Sequence, residues 1–425
     1  MPLILLPIIL AIVVGCVFWF LADLKYSIAW SKKRSELSSA GKWKELNTHF
    51  EKALKTKRPF LRLFERLVMP GVVEVDYGLH LYNQGRNEEA LTLVDKALAK
   101  AGGRANRHAT WEAMEPELKR LHALRRTMFG MAAVSRTQIL NGMGRYDEAR
   151  ASAKLAQTSD TSGAMASMIE GLIELYNGNI SEALRLAEKA MKDQKANDAS
   201  RAMASGALAA KGRFQDAMNV LIYEPGKITA FFEPEELEMV TEDQPGRELV
   251  AAMDKDLAGV MQPGRYLGQA LVCLEAGDVK NFALALDRAK KVMQAQPAIE
   301  HIYVRLRTIC CAMQADTTGM ETHLARARVL AREIPSRSAR YETHLAAGRA
   351  YLAMGQNESA LSDLEEAAKL ALHPLEKHTT NYWRARAAEA AGRSDLAAQC
   401  LTAVTEDGFD TWMRADAQRR VAATN

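Results

Sequence analysis

The stretch that decides the fold is GQNESALSDLEEAAKLALHP, residues 355–374. Gly355 is followed by an alanine after five residues and by another after twelve, Ala360 and Ala367. Positions seven residues apart lie on one face of an α-helix, two turns along its axis. The glycine can take the left-handed backbone that ends a helix, and Glu358 suits the positive end of the next helix dipole. The stretch therefore predicts a helical hairpin with a glycine turn and a line of small side chains between its helices.

The same spacing recurs along the chain. Gly144, Gly178 and Gly212 are each 34 residues apart. One hairpin leaves an apolar side that only the next hairpin can cover, so the copies are expected to stack into a continuous array. A degenerate copy near 316–335 has Ala327 but lacks a turn glycine. The other copies, complete or partial, begin at Gly85, Gly277, Gly355 and Gly392.

This pattern resembles the tetratricopeptide repeat (TPR) family over roughly residues 36–405. In 341–374, the residues Gly348, Tyr351, Gly355 and Pro374 lie at or near positions of the family motif. The resemblance implies an all-α protein, an α-solenoid of TPR-like helical hairpins in two subarrays. It also implies a protein that binds a peptide or helix of another protein in its superhelical groove. The inner-helix residues that repeat position suggests for partner binding are Tyr82, Asn83, Arg136, Asn141 and Tyr351.

Residues 3–22, LILLPIILAIVVGCVFWFLA, predict one N-terminal transmembrane helix. Twenty uncharged helical residues rise about 30 Å, the thickness of the hydrocarbon core of a bilayer. Trp19, Tyr26 and Trp30 flank the far end, where amphipathic rings suit the headgroup layer. A cleaved signal peptide and a lipoprotein signal at Cys16 are alternatives. The missing basic start argues against the first, and the apolar run beyond Cys16 argues against the second.

The segment after this helix is strongly basic. Lysines and arginines greatly outnumber acidic residues in 25–66, and such charges next to a span resist translocation. We therefore expect a single-pass protein of a bacterial inner membrane with its C-terminal domain in the cytoplasm. The alternative is a periplasm-facing TPR chaperone or envelope-complex subunit. The basic stretch either sets topology alone or also contacts anionic lipid, and the sequence leaves both open.

Composition along the chain divides it into six segments. The segment that separates the two arrays is acidic and contains Pro225, Pro234, Pro245 and Pro263. It is either a solvated connection or a docking element. The predicted segments are 1–24, transmembrane anchor; 25–70, basic juxtamembrane helices; 71–223, first TPR-like array; 224–264, acidic Pro-containing connection; 265–408, second TPR-like array; and 409–425, C-terminal capping helix.

No motif in the sequence indicates catalysis. The chain lacks G-x-x-x-x-G-K-[ST], H-E-x-x-H and G-x-S-x-G, and His373 and His378 are five residues apart, a spacing that shares a helical face poorly. The net charge of +4 is too small to indicate nucleic acid. We therefore expect neither an enzyme, nor a metal, nor a cofactor. Reduced core thiols are expected at Cys16, Cys273, Cys310, Cys311 and Cys400, which show no C-x-x-C spacing.

Overall fold

The chain is helical throughout the parts that the computed structural model describes. These parts are residues 42–55, 71–102, 123–156, 163–192, 197–222, 262–293, 297–334 and 336–424, together with helical residues 30, 32–34, 36 and 37. Within these ranges, no helix combines the length and the apolar character needed to span a membrane. The predicted anchor at 3–22, residues 56–70 and most of the acidic connection at 224–264 lie outside the described residues.

The described helices are short and follow one another closely. In chain order they are α1 (Trp43–Lys55), α2 (Val72–Asn83), α3 (Asn87–Gly102), α4 (Ala123–Gly142), α5 (Tyr146–Ala156), α6 (Gly163–Tyr176), α7 (Ile180–Ala190), α8 (Asn197–Ala210), α9 (Phe214–Val220), α10 (262–275), α11 (Val279–Val292), α12 (Pro297–Met313), α13 (Thr317–Glu333), α14 (Arg337–Ala353), α15 (Asn357–Leu370), α16 (Pro374–Ala390), α17 (Ser394–Glu406) and α18 (Trp412–Thr424).

Consecutive helices pair into hairpins, and the hairpins stack. α2 packs on α3, α4 on α5, α6 on α7, and the pairing continues to α16 and α17. The first helices of neighbouring hairpins also contact one another, as α12, α14 and α16 do in succession. Each hairpin thereby buries its open side against the next one, which is the arrangement of an α-solenoid. The sequence prediction of stacked helical hairpins is confirmed.

The hairpin turns and the contacts between paired helices follow the predicted spacing. The seven turn glycines of the repeat pattern have φ between 71 and 85°. The paired alanines are buried, with Ala360 and Ala367 both at 0% exposure. A Cβ on Gly348 would collide with Leu364, so the small residue lets α14 and α15 approach closely. The glycines thus end helices and the small residues bring the helices of a hairpin together.

The degenerate copy forms the same turn without glycine. Ala315 takes the turn position with φ of 59°, which makes it the one non-glycine residue with positive φ among the described residues. The next residue, Asp316, caps α13 because its Oδ1 accepts a hydrogen bond from the Gly319 amide at 2.9 Å. The array therefore imposes its turn geometry on a residue that disfavours it.

A buried histidine contacts the loop that leads into the last helix and so holds that helix against the stack. His378 is 1% exposed; its Nδ1 lies 2.5 Å from Asp407 Oδ2 and its Nε2 lies 2.8 Å from Thr411 Oγ1. Thr411 in turn accepts a hydrogen bond from the Arg414 amide in the first turn of α18.

The four described cysteines are buried free thiols at Cys273, Cys310, Cys311 and Cys400. These polar and thiol side chains are therefore part of the packed interior.

Candidate functional site

The superhelix returns on itself, so that one edge of its N-terminal part contacts the opposite edge of its C-terminal part. Leu372 lies 3.6 Å from the Cβ position of Gly144, and Trp412 lies 3.2 Å from that of Gly212. Between them, a Cβ on Gly178 would overlap the ring of Phe409. Three successive turns with a spacing of 34 residues therefore each receive one apolar side chain from the C-terminal part.

Polar contacts run along the same edges. The Tyr146 hydroxyl lies 2.7 Å from His373 Nδ1, and the rings of Tyr176 and His373 are 4.5 Å apart between centroids. Lys211 forms an ion pair with Asp410. We call this set of contacts, from Gly144 and Leu372 to Gly212 and Trp412, the seam. The seam joins residues that are about two hundred positions apart in the chain, as 199 positions separate the partners of that ion pair.

Beside the seam a cleft of about 840 Å³ lies between the two edges. One wall comes from the ends of α2, α4 and α6, the turns that follow α2 and α4, and the start of α3. The other wall comes from the starts of α14 and α16 and the loops before them. We call this space the inter-turn cleft. Its lining residues include Tyr82, Gln84, Asn87, Glu88, Asn141, Gly142, Tyr176, Ser336, Arg337, Ser338, Arg340, Leu372, His373 and Glu376.

A smaller pocket of about 330 Å³ adjoins the inter-turn cleft, because Gln84, Ser336 and Ser338 line both. Its floor contains His301, whose Nε2 lies 2.8 Å from Thr343 Oγ1. An ion pair between Arg305 and Glu342 lies on its rim. The inter-turn cleft has a mixed polar and apolar lining, whereas the smaller pocket is lined mainly by apolar surface.

A partly buried ion pair fixes the C-terminal wall of the cleft. The Arg337 guanidinium donates two hydrogen bonds to Glu376, at 2.8 and 3.0 Å. Glu376 Oε2 also accepts from the amides of Leu372 and His373, at 2.8 and 3.2 Å. Burial alone would raise the pKa of Glu376, but these donors outweigh it and the pKa is lowered. The charged carboxylate therefore holds the loop that carries Leu372 and His373.

The aromatic and imidazole groups beside this pair are uncharged at neutral pH. Burial raises the pKa of Tyr146 and of Tyr176 to about 12. Burial lowers the pKa of His373, although the nearby Glu376 carboxylate opposes that change. A neutral imidazole and the Tyr176 phenol therefore line the cleft, and the Tyr146 hydroxyl contacts that imidazole from outside the lining.

Two asparagines of the N-terminal wall have hydrogen-bonding capacity that the described residues leave unused. Asn141 is 8% exposed, and its Oδ1 is buried and has no hydrogen-bond partner in the described part of the chain. The same holds for Oδ1 of Asn87, the first residue of α3. An unpaired buried carbonyl oxygen costs about 1–3 kcal/mol. These two amide oxygens are therefore enclosed by the walls and have almost no surface accessible from the cleft.

The structure brings together two of the five residues that the sequence suggests for partner binding. Tyr82 and Asn141 both line the cleft. Asn83 ends α2, but its side chain lies outside those that the structure describes. Arg136 donates to Asp95 at 2.7 Å. Tyr351 packs against the hydrophobic clusters around α14 and α15 and lines neither space.

The sequence does not predict the C-terminal wall of the cleft. Ser336, Arg337, His373 and Glu376 carry no binding motif, and nothing in the sequence places them opposite Gln84. One local signal was available, since Pro374 followed by Glu376 is typical of a helix start. That signal predicts a cap, not a cleft. Among the described residues, no group of three or more histidine, cysteine or acidic side chains could hold a metal ion.

Residues 345–410 match the family model of the tetratricopeptide repeat. The matched region covers α15, α16 and α17, whose glycine turns and alanine contacts recur in the hairpins before them. Residues 345–410 are therefore similar to tetratricopeptide repeats. A search of curated protein sequences finds no match.

Several solved structures have a similar chain path at low sequence identity. The Cut9–Hcn1 hetero-tetramer of the APC/C matches at 12% identity with a TM-score of 0.31, over 91% of this chain and 94% of that one. Yeast Tom70 matches at 10% identity with a TM-score of 0.32, over 94% and 95%. IFIT1, as a monomeric mutant with Gppp-AAAA, matches at 13% with a TM-score of 0.34, over 83% and 81%. With TM-scores below 0.5, these likenesses carry no argument about function.

Proposed function

We propose that this chain is a scaffold that holds a segment of another protein in the inter-turn cleft and localises it at a membrane. The observation that carries the proposal is the cleft itself, about 840 Å³ between the two edges of the array, with polar and charged side chains on both walls. Tetratricopeptide repeats are a family of protein-binding arrays, which supports a protein as the partner. Binding without catalysis, cofactor or nucleic acid is the function that these features support.

The membrane part of the proposal rests on residues 3–22 and on the packing that follows them. Trp30 stacks on His49 at 5.3 Å, and Arg34 forms an ion pair with Asp76 of α2. Only seven residues separate the end of the apolar run at position 22 from Trp30, and the eight steps between these two positions reach about 28 Å when fully extended. A span at 3–22 would therefore hold the repeat body close to the bilayer, and a partner in the cleft would gain effective concentration there.

We further propose that the body faces the cytoplasm from a bacterial inner membrane, because the basic residues of 25–66 follow the apolar run. A C-terminal fusion to alkaline phosphatase should be inactive, while the same fusion to green fluorescent protein should fluoresce. The opposite pattern would favour a periplasmic chaperone or envelope-complex subunit. Retention of the full chain in the soluble fraction after gentle lysis would contradict membrane localisation.

Site-specific photo-crosslinking tests the cleft. A photoreactive residue at Ser338, which is exposed and lines both spaces, should crosslink to a discrete partner in intact cells. The matched control is the same residue at Leu284, an exposed position on α11 outside both linings. Equal crosslinking from both positions, or none from Ser338, would contradict a partner-binding role for the cleft.

A further inference from the structure

We propose that the seam is a pH-sensitive switch, in which protonation of the His373 imidazole favours an open array whose N-terminal and C-terminal parts have separated. The proposal concerns contacts within the chain and not a partner, so it is independent of the proposed function. Because the inter-turn cleft lies beside the seam between the same two edges, opening of the seam also changes the shape of the cleft.

The imidazole of His373 is buried by groups from across the seam. His373 is the N-cap residue of α16 and is 4% exposed. Two tyrosines of the N-terminal part cover it: the Tyr146 hydroxyl lies 2.7 Å from Nδ1, and the Tyr176 ring lies 4.5 Å away between centroids. These tyrosines belong to α5 and α6, on the opposite edge of the seam. Separation of the two edges therefore removes both tyrosines and returns the imidazole to water.

Charged groups around the imidazole come from its own side of the seam. The Glu376 carboxylate favours the protonated form, whereas Arg337 and Lys377 disfavour it. Glu376 already accepts two hydrogen bonds from Arg337 and two from loop amides. The groups that face the imidazole from α5 and α6 are the two phenols, which are uncharged at neutral pH. Burial is consequently the largest influence, and it lowers the pKa of His373 in the closed array.

The sign of the pH effect follows from this difference between the two states. In the open array the exposed imidazole regains its ordinary pKa of 6.5. As the pH falls below 6.5, the open array binds the proton first, and the closed array loses stability until the pH passes the lowered pKa. An imidazole that is protonated in the open array and neutral in the closed one raises the ratio of open to closed molecules about tenfold at pH 5.5.

The other contacts of the seam are few, so one proton has a measurable effect. Three apolar side chains cross it, Leu372, Phe409 and Trp412, each against a glycine turn. The ion pair between Lys211 and Asp410 is partly exposed to solvent, and such pairs contribute little to stability. A tenfold change in the ratio of open to closed molecules is therefore not hidden by a large interface.

The experiment measures the distance between the two parts of the full chain in detergent. Nitroxide labels are placed at Glu188→Cys on α7 and Thr402→Cys on α17, two exposed positions outside the contacts of the seam. The control pair, Thr318→Cys with Thr402→Cys, lies within the C-terminal part. Cys16→Ala restricts labelling to the introduced positions, since the other four cysteines are buried. Double electron–electron resonance gives the distance distribution from pH 7.5 to 5, and circular dichroism verifies the fold at each pH.

Two neutral variants and one control variant identify the group that responds. His373→Asn removes the titrating imidazole and keeps the start of α16, because asparagine is a preferred N-cap residue. His373→Gln is a second neutral replacement, which keeps the test decisive if the first variant unfolds. The matched control is His301→Gln, which removes another buried histidine whose partner, Thr343, lies away from the seam.

We expect a longer distance to appear in the native chain as the pH falls, with the ratio of open to closed molecules about tenfold higher at pH 5.5 than at pH 7.5. The change should reverse on neutralisation and persist in His301→Gln. In His373→Asn or His373→Gln the ratio should change by less than about twofold. A larger response in a folded neutral variant, an equal change in the control pair, or no separation of the native chain before it unfolds in acid would overturn the proposal.

Discussion

The turn at Ala315 gives the sharpest prediction, which is that Ala315→Gly stabilises the chain. Ala315 has φ of 59° and is exposed, so its methyl group adds strain and contributes no burial. A left-handed backbone costs a residue with a Cβ about 1–2 kcal/mol relative to glycine. Glycine loses about 0.4–1 kcal/mol of that advantage because it gives the unfolded chain more freedom. The expected gain in the free energy of unfolding is therefore about 0.5–1 kcal/mol.

Gly355→Ala supplies the matched control with the opposite sign. Gly355 occupies the equivalent turn with φ of 71°, and a Cβ there would meet nothing within 4 Å. Its replacement therefore introduces the backbone strain alone, without a steric clash, and should destabilise the chain by about 0.5–1 kcal/mol. The two substitutions exchange the same pair of residues at the same point of two repeats.

Equilibrium urea unfolding of the detergent-solubilised chain, followed by far-ultraviolet circular dichroism, measures both effects. Hydrogen exchange in α12 and α13 then shows whether the gain from Ala315→Gly is local to its hairpin, as expected for an array stabilised by nearest neighbours. A loss of stability in Ala315→Gly, or a gain in Gly355→Ala, would refute the assignment of a strained left-handed turn to Ala315.

Three further predictions follow from the seam, the cleft and the small pocket. Gly178→Ala should lower the free energy of unfolding more than Gly355→Ala does, because only a Cβ at position 178 meets the Phe409 ring. In a chain that also carries Phe409→Ala, the two substitutions should lower it equally. Arg337→Met should lower the free energy of unfolding in urea by about 1–3 kcal/mol at neutral pH and by less in acid, where the Glu376 carboxylate is protonated. Burial lowers the pKa of His301 from 6.5 to about 4, so the unfolded state binds its proton first as the pH falls. The free energy of unfolding should therefore fall from pH 6.5 towards 4, by at most about 3 kcal/mol from this group, and His301→Gln should flatten that slope.

The fold could be predicted from the sequence because its determinants are local. The Gly355 turn and the buried Ala360 and Ala367 follow from helix geometry within one hairpin. The turn at Ala315 could not be predicted, because the backbone there is set by the neighbouring helices and not by its own preference. The predicted helical hairpins appear with or without the glycine, since packing between repeats outweighs about 1 kcal/mol of local strain.

The candidate site could be predicted only in part. Tyr82 and Asn141 lie near the ends of first helices, and repeat position alone was enough to select them. Their partners across the cleft, such as Arg337 and His373, depend on the pitch of the superhelix. That pitch is the sum of small rotations between many hairpins, and no local pattern encodes it.

The central claim is that the N-terminal and C-terminal parts of the array meet along the seam. A short bismaleimide crosslinker tests it in a chain with Lys211→Cys and Asp410→Cys, whose native side chains form an ion pair across the seam. Cys16→Ala removes the one cysteine outside the described residues. The control pair, Glu300→Cys and Arg326→Cys, replaces an ion pair within one hairpin.

Mass spectrometry of the crosslinked monomer gives the answer. We predict an intramolecular link between positions 211 and 410 in a yield comparable to that of the control pair. Efficient linkage of the control pair with no link between 211 and 410 would contradict the closed seam, and with it the inter-turn cleft.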